Sequence, residues 1–399
     1  MYNRNIQLMI VVATCILTLV STDILLPSLP QIAQHFSISS NDAKMIISIF
    51  LIGQFATVLF WGIIADLIGR KKTLFLGMLI FFIGSMLSLT ATSIQSLLLC
   101  RFLQGAGGIV VPVAGWALVQ DLFPKDEGAR IMTLVGTLTA IMPLFAPAIG
   151  GKIDVLYGWH ANLYCIAVFS AVLCFIMLFS LQQNTSKEMN SLSFKDRISI
   201  YGHILKNKTF ISYIALFGLL NCGEWCFLTM APFYYAHKQI SPDYMGLLLM
   251  ITAAGFVFGS LLASYLFKRL GVDKTINIAI QLALTSSLML LCGEYLQWNY
   301  YPLFNAIILG IYILSSALLW GGSTSRALQC FDDYRGSASA VRSLILLCFA
   351  ALGTFSGRLV SHESIYHVGF FLFSMALCAL IVFHNKELKA ERLAEDIVF

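Results

Sequence analysis

The sequence predicts an all-α polytopic membrane protein with twelve transmembrane helices in two six-helix bundles. Three observations support this fold class. Of the 399 residues, 58% are hydrophobic and only 11% are charged, and the mean hydropathy is +0.82. Apolar runs recur along the chain, each long enough to cross a hydrocarbon core, which takes about 20 helical residues. One long polar segment divides these runs six to six.

The apolar runs account for almost the whole chain, and short polar connections separate them. A soluble domain could not bury this much apolar surface, so the sequence requires lipid as its solvent. The predicted spans are residues 6–29, 43–65, 73–92, 96–119, 131–151, 160–181, 209–235, 243–266, 275–295, 303–325, 337–359 and 364–384.

The polar segment 182–208 predicts a cytoplasmic linker between an N-terminal bundle, residues 1–181, and a C-terminal bundle, residues 209–385. We expect a short amphipathic piece within it, around Phe194–Leu205. Residues 386–399 form a predicted cytoplasmic tail. A faint internal repeat supports the split, since an offset of 202 residues places Gly271 on Gly69.

Most of the 25 lysines and arginines fall in connections on one side of the predicted spans. Because cytoplasmic loops are enriched in cations, this bias places both termini in the cytoplasm. The net charge of +5 therefore reports topology, and nucleic-acid binding is not expected. The 10 cysteines are scattered singly, without partners at metal-ligand spacing, so no metal site is predicted.

A tight turn is predicted between the second and third spans, where residues 62–72 read GIIADLIGRKK. Gly69 supplies permissive backbone, and the three cations after it mark a cytoplasmic loop. This spacing resembles the loop 2–3 signature of the major facilitator superfamily. The resemblance implies a major facilitator fold and a gating loop that stabilises one of two conformational states. Its gating residues are Gly62, Asp66, Gly69, Arg70 and Lys71.

Of the ionisable residues inside apolar runs, four matter most: Asp23, Arg101, Glu224 and Arg342. A charge near the bilayer centre costs at least about 2.5–3.5 kcal/mol, so such residues are functional candidates by default. Snorkelling of a side chain from a helix end to the interface is the alternative. Snorkelling is possible for the long side chains of lysine and arginine, whereas the carboxylate side chains are short and fit this explanation poorly.

Asp23 and Arg101 are predicted to lie at similar depth, so they could pair if their helices are neighbours. Residues 23–30, DILLPSLP, resemble the first-helix pattern of the Bcr/CflA group of drug:proton antiporters. Residues 101–108, RFLQGAGG, resemble the fourth-helix motif, whose arginine is linked to proton transfer in that group. The resemblance implies that the pair couples protons to transport and that Asp23 also contacts substrate. A purely structural ion pair is the alternative.

Glu224 is predicted to lie near the middle of the seventh span, too deep to reach the interface. We expect it to bind protons or substrate, and a satisfied interhelical hydrogen bond is the alternative. Trp225 is placed in the same substrate site, although it projects about 100° away around the helix, and a position facing lipid is the alternative. Arg342 lies five residues into the eleventh span. It either snorkels to the cytoplasmic face or meets an anionic group of the substrate.

The fifth span contains Pro143, Pro147, Gly150 and Gly151. Each proline removes a backbone donor and bends the helix, and the glycines allow close helix packing. The P-x-x-G-G ending resembles the fifth-helix antiporter motif, which is found more in exporters than in importers. These four residues are therefore predicted to take part in gating.

Together with the resemblance, the sequence predicts a proton-coupled secondary active transporter. It would export small organic molecules, drug-like or metabolite, across the bacterial inner membrane by alternating access. The expected partners are substrate, protons and the lipid bilayer, for a monomer without a cofactor beyond the proton gradient. No hydrolase triad, metal spacing or phosphate loop indicates an enzyme.

Two alternatives to this function remain open. The protein could carry a carboxylate-bearing siderophore or metabolite, by export or uptake, with Arg101 and Arg342 as anion contacts. It could also be a non-transporting membrane receptor or scaffold.

Overall fold

A computed structural model describes residues 4–123, 141–142, 144–180, 194–331 and 335–384. Within these ranges all regular secondary structure is helical, and no β-strand is present. Among the described residues, 11 helices are long and apolar enough to cross a membrane. The fifth predicted span, 131–151, falls mostly outside the described part of the chain. The all-α polytopic fold class is confirmed.

The helices before the predicted linker contain five of these candidate spans. α1 is interrupted after Asp23 and continues into α2, and a π-helical turn, Val111–Gly115, joins α6 to α7. The helices are α1 (Arg4–Asp23), α2 (Leu29–His35), α3 (Ser40–Ala43), α4 (Met45–Ile68), α5 (Arg70–Ser88), α6 (Ile94–Gly108), α7 (Trp116–Leu122), α8 (144–157) and α9 (Trp159–Ser180).

The later helices contain the other six candidate spans, and they are on average longer than the apolar runs that predicted them. They are α10 (Phe194–Lys206), α11 (Lys208–His237), α12 (Pro242–Leu270), α13 (Val272–Tyr295), α14 (Pro302–Gln329), α15 (Arg335–Leu359) and α16 (Ile365–Phe383). The short helix expected around Phe194–Leu205 is present as α10.

The chain forms two compact units. The first comprises Met1–Ser191 together with Gln239–Leu247, and the second comprises Leu192–Lys238 together with Leu248–Phe399. α12 therefore begins in the first unit, where the backbone of Pro242 lies against Gly151. The domain boundaries expected from the polar linker stay a prediction.

Glycines allow the spans to pack closely within each unit. In the first unit Gly105 of α6 lies so close to the carbonyl of Phe50 on α4 that a Cβ atom there would overlap it. In the second unit Gly255 of α12 meets the carbonyl of Gly310 on α14 in the same way. Small residues at such crossings let membrane helices gain dispersion contacts that larger side chains would prevent.

Candidate functional site

The first span is broken at the position of Asp23. α1 ends at this residue, a 3₁₀ turn occupies Leu26–Ser28, and α2 begins at Leu29. An unbroken helix would need the N–H group of residue 27 to reach the carbonyl of Asp23, and Pro27 has none. The sequence predicted a span over 6–29, and the helix is interrupted inside this span. The break places Asp23 at a helix terminus, half-buried.

Arg101 is fully buried at the side of this break. Its Nη1 donates to the Ser21 carbonyl of α1 at 3.2 Å, and its Nη2 donates to the Thr22 hydroxyl at 3.4 Å. Its Nε donates to the Ile46 carbonyl of α4 at 3.5 Å. One guanidinium thus joins α1, α4 and α6, and a cation near the carbonyl end of α1 is also favoured by the helix dipole.

The network continues from Arg101 into α5. Nη1 of Arg101 also donates to Oε1 of Gln104 at 2.7 Å, and Nε2 of Gln104 donates to the Ser85 hydroxyl at 3.0 Å. The guanidinium carbon lies 4.6 Å from the ring centroid of Phe50, a cation–π contact. The guanidinium group of Arg101 therefore donates four hydrogen bonds to neutral acceptors and has no access to water.

Asp23 supplies negative charge beside this network. Its carboxylate interacts electrostatically with Arg101, so the structure brings the two predicted residues together within the first unit. The geometry is compatible both with a coupling pair and with a structural pair. The role of Asp23 in proton coupling and substrate binding stays a prediction.

A second polar cluster in the first unit was missed by the sequence analysis. Asp154 of α8 is buried near Ser28 in the broken part of the first span, and neither of its carboxylate oxygens has a hydrogen-bond partner among the described residues. Asn162 of α9 donates to Ser28 at 3.1 Å and to the Gly150 carbonyl at 3.1 Å. Asp154 was overlooked because the apolar run ended at residue 151, three positions earlier.

Glu224 lies in a polar cluster of the second unit. The Ser316 hydroxyl of α14 donates to its Oε2 at 3.5 Å, and Asn221 lies one helical turn away on α11. Tyr312 of α14 is fully buried beside them, with its hydroxyl against Gly223 and directed to the Leu220 carbonyl at 3.5 Å. The cluster lies between α11 and α14, as expected for a residue too deep to snorkel.

Two further predicted substrate residues lie in the same unit. Trp225 is half-buried, and its Cβ lies against Gly353 of α15, on a different face of α11 from Glu224. Arg342 of α15 is half-buried and donates through Nε to the Thr324 hydroxyl of α14 at 3.1 Å. Since Ser316 and Thr324 are eight residues apart on α14, Glu224 and Arg342 are separated by about 12 Å along that helix. No substrate role of either residue is tested by these positions.

The predicted gating loop contains a turn that depends on glycine. Gly69 separates α4 from α5 with φ of 87° and ψ of 151°, a region that side chains rarely enter. Arg70 follows it and donates to the Ala117 carbonyl of α7. Lys71 is half-buried, and Gly62 lies near Val113. The side chain of Asp66 lies outside the described residues, so its expected role is not addressed.

The second unit repeats this turn. Gly271 separates α12 from α13 with φ of 80° and ψ of 168°. Asp273, at the start of α13, pairs with Arg326 of α14 at 3.0 Å. In both units the start of the helix after the glycine is therefore bonded to a neighbouring helix. In the first unit the cation, Arg70, lies on the helix that follows the glycine, whereas in the second unit the cation, Arg326, lies on the neighbouring helix. This similarity matches the 202-residue offset between Gly69 and Gly271.

Three of the gating residues predicted in the fifth span are described on α8. Pro147 is buried, Gly150 lies against the Ile24 carbonyl in the break, and Gly151 lies against the Pro242 carbonyl. Pro143 lies outside the described residues. The close backbone contacts agree with tight packing of this helix, and its part in gating stays a prediction.

The chain was compared with known proteins. The Major Facilitator Superfamily pattern matches residues 11–354. The bicyclomycin resistance protein homolog of Haemophilus influenzae is 27% identical over 365 residues, covering 90% of this chain and 89% of its own. The multidrug resistance protein MdtL of a Shewanella species is 26% identical over 342 residues, covering 83% of both chains.

The fold is also similar to that of solved transporters. A D-xylose–proton symporter superposes with a TM-score of 0.72 at 15% identity, covering 94% of this chain and 97% of its own. At this identity the likeness supports the fold alone. Since the family pattern extends over most of the chain, and the helices follow the same architecture, this protein belongs to the Major Facilitator Superfamily of membrane transporters, as the resemblance implied, and is not an enzyme.

Proposed function

We propose that the protein exports small organic molecules across the bacterial cell membrane by alternating access, driven by inward proton flow. The similarity to proteins named as a bicyclomycin resistance protein homolog and a multidrug resistance protein supports this choice of substrate class and direction. The observation that carries the proposal is the position of Glu224, an acid in the middle of a span with hydroxyl and amide partners.

The partners of Glu224 suit a carboxyl group that changes protonation. Both the Ser316 hydroxyl and the Asn221 side-chain amide can donate or accept a hydrogen bond. A carboxylate would accept from them, and a protonated acid would donate to one of them. The carboxyl group can therefore keep a hydrogen-bonding neighbour in either protonation state.

Asp23 and Arg101 form the second part of the proposed coupling site. Arg101 is held by neutral acceptors from three helices, so its position is fixed while Asp23 lies at a break. A movement of the break would change the distance between the two charges and hence the proton affinity of Asp23. Linkage then makes substrate and proton bias the same conformational equilibrium.

The substrate site takes its chemistry from the same residues. An organic cation would be attracted by Asp23 and Glu224, and Trp225 would offer an aromatic face. Gly62, Asp66, Gly69, Arg70 and Lys71 gate the cytoplasmic end, and Pro143, Pro147, Gly150 and Gly151 allow the fifth span to move. No cofactor is required beyond the proton gradient.

The orientation with both termini in the cytoplasm is part of this proposal. Arg4 donates to the Leu122 carbonyl at 3.4 Å, so the start of α1 and the end of α7 lie at one end of the unit. Arg70 binds α7 at the same end. A concentration of cations there is typical of the cytoplasmic side. We further propose that the transporter works as a monomer.

The proposal is tested with purified protein in liposomes that carry an imposed pH gradient. We expect Glu224→Gln to abolish gradient-driven accumulation of a cationic dye, because the amide has no negative charge to attract the cation and cannot release a proton. Glu294→Gln is the matched control. Glu294 is exposed at the end of α13, so this variant should transport normally. Unchanged accumulation by Glu224→Gln would refute the proposal.

A carboxylate-bearing siderophore or metabolite remains the second candidate substrate class, because Arg342 is half-buried in the same unit as Glu224. For such a substrate, Arg342→Ala would abolish transport and Glu224→Gln would leave substrate recognition intact. Side-by-side transport of a cationic dye and a carboxylate siderophore by both variants separates the two classes.

A further inference from the structure

Four of the seven histidines form two pairs, one in each unit. In the first unit His35, at the end of α2, faces His160, near the start of α9, with ring centroids 5.3 Å apart and ring planes at 86°. In the second unit His237, at the end of α11, faces His362, before α16, at 6.3 Å and 86°. The pairs thus have the same angle between ring planes and lie at the same ends of corresponding helices, with a longer centroid separation in the second unit.

The two pairs are related by the same internal repeat as the turn glycines. His35 and His237 are 202 residues apart, and so are His160 and His362. Gly69 and Gly271 show the same offset, with matching backbone angles in the structure. A pairing that recurs at equivalent places in both halves is harder to explain by chance than a single contact between two histidines.

We propose that each pair binds one divalent transition-metal ion of the class that prefers imidazole ligands, such as Zn²⁺, Ni²⁺ or Cu²⁺. Neutral imidazole is the commonest metal ligand in proteins. With metal–nitrogen bonds of about 2.0–2.1 Å, two imidazoles on one ion have ring centroids roughly 5–6 Å apart. The first pair lies within this range, and the second lies just beyond it.

The ions would reach the pairs from solvent. His35, His160 and His237 are exposed, and His362 is half-buried. Among the described residues, no group of three or more metal-ligating side chains occurs. Each ion would therefore take two protein ligands and keep its other positions for water. Such a site is open and weaker than a four-ligand structural site.

The surroundings of the pairs predict different affinities. In the first unit Trp159 stacks on His160 with centroids 3.6 Å apart, and Phe36 packs against His35 at 4.9 Å, so both rings are oriented. In the second unit Lys238 follows His237, although its Nζ lies over the Tyr300 ring at 5.2 Å. A neighbouring cation and a longer separation both weaken metal binding, so the first site should be the tighter one.

The test is equilibrium dialysis of Zn²⁺ against the full-length detergent-solubilised protein after removal of any histidine tag. We expect two bound ions in the wild-type protein. His35→Ala or His160→Ala should each remove one ion, and the double variant should remove no more than that one. His237→Ala or His362→Ala should remove the other, while His203→Ala and His384→Ala, outside both pairs, should remove none.

A second measurement keeps the proposal testable if a variant is unstable. Zn²⁺ should raise the unfolding temperature of the wild-type protein, because each ion joins the first and sixth spans of its unit. This shift in unfolding temperature should be smaller in a variant of either pair, such as His35→Ala or His237→Ala, and should be retained in His384→Ala. Absence of saturable Zn²⁺ binding, or an unchanged number of ions after substitution of a pair member, would overturn the proposal. Dye export by the pair variants is independent of this outcome.

Discussion

Arg101 illustrates how a cation is accommodated within an apolar bundle. Removing a guanidinium from water is expensive, and the cost is offset only when most of its donors are bonded and a countercharge is near. Here the acceptors come from the backbone of two other helices, from Thr22 and from Gln104, with Asp23 as the countercharge. The side chain therefore fixes the relative positions of three spans.

We expect Arg101→Ala to destabilise the protein by about 3–5 kcal/mol, because the Asp23 carboxylate and several carbonyl groups would lose their partner. Arg101→Lys should also be damaging, since one ammonium cannot reproduce the forked contacts. Unfolding in mixed detergent micelles measures the loss. Arg269→Lys is the control, because Arg269 is exposed at the end of α12. Equal stability of Arg101→Lys and the control would contradict this interpretation.

The sequence identified the charged members of both clusters and missed their neutral partners. Asp23, Arg101 and Glu224 could be recognised because placing an ionisable group inside a membrane costs free energy, whichever helices surround it. Gln104, Ser85 and Ser316 do not stand out, since uncharged polar residues are tolerated in spans and acquire meaning only from their neighbours. The contact between Glu224 and Ser316 joins residues 92 positions apart.

At the scale of single elements, two glycine turns connect long helices in both units. Gly69→Ala or Gly271→Ala should each cost about 1–3 kcal/mol, because a side chain would be forced into a backbone region reserved for glycine. Unfolding in detergent measures this cost. Gly202→Ala is the matched control, since Gly202 lies within α10 with no atom within 4 Å of its would-be Cβ. That control should be neutral or stabilising, by up to about 1 kcal/mol.

The break in the first span supports a separate prediction. Pro27→Ala restores an N–H group that can reach the Asp23 carbonyl, so the helix should continue past Asp23 and move its carboxylate relative to Arg101. We expect dye export in liposomes to fall at least tenfold while the protein remains folded. Pro302→Ala is the control, because Pro302 occupies the first position of α14, where no N–H is needed. Wild-type export by Pro27→Ala would show that the break is dispensable.

The positions of the helices could largely be predicted from the sequence. Apolar length and flanking cations located the spans well, as with the run 209–235 against α11, because burial in lipid imposes both signals. The break at Asp23 was missed because hydropathy is continuous there, whereas proline acts on a single hydrogen bond. The glycine turn was recognised because its residue type is dictated by backbone geometry.

At the scale of the whole molecule, each of the two units supplies its own candidate residues. The first supplies Asp23 and Arg101, and the second supplies Glu224, Trp225 and Arg342. The family and the two-unit architecture follow from hydropathy, loop charge and a few motifs. Substrate choice does not follow from them, because it depends on which neutral and aromatic side chains surround each charge.

Substrate selectivity gives a prediction at this scale. If Glu224 recognises cations and Arg342 lies outside the cation site, Arg342→Gln should leave export of a cationic dye within about threefold of wild type, whereas Glu224→Gln should abolish it. Initial rates in liposomes at fixed protein density provide the measurement. Loss of dye export in both variants would place Arg342 in the coupling machinery.

Substrate-driven proton movement is the decisive measurement for proton coupling through Asp23 and Glu224. Liposomes with a pH-sensitive dye inside and reconstituted protein are given an outward-directed gradient of an organic cation. We expect inward proton flow with the wild-type protein, and none with Asp23→Asn or Glu224→Gln. Proton flow at the wild-type rate in both amide variants would show that neither carboxyl group carries the proton.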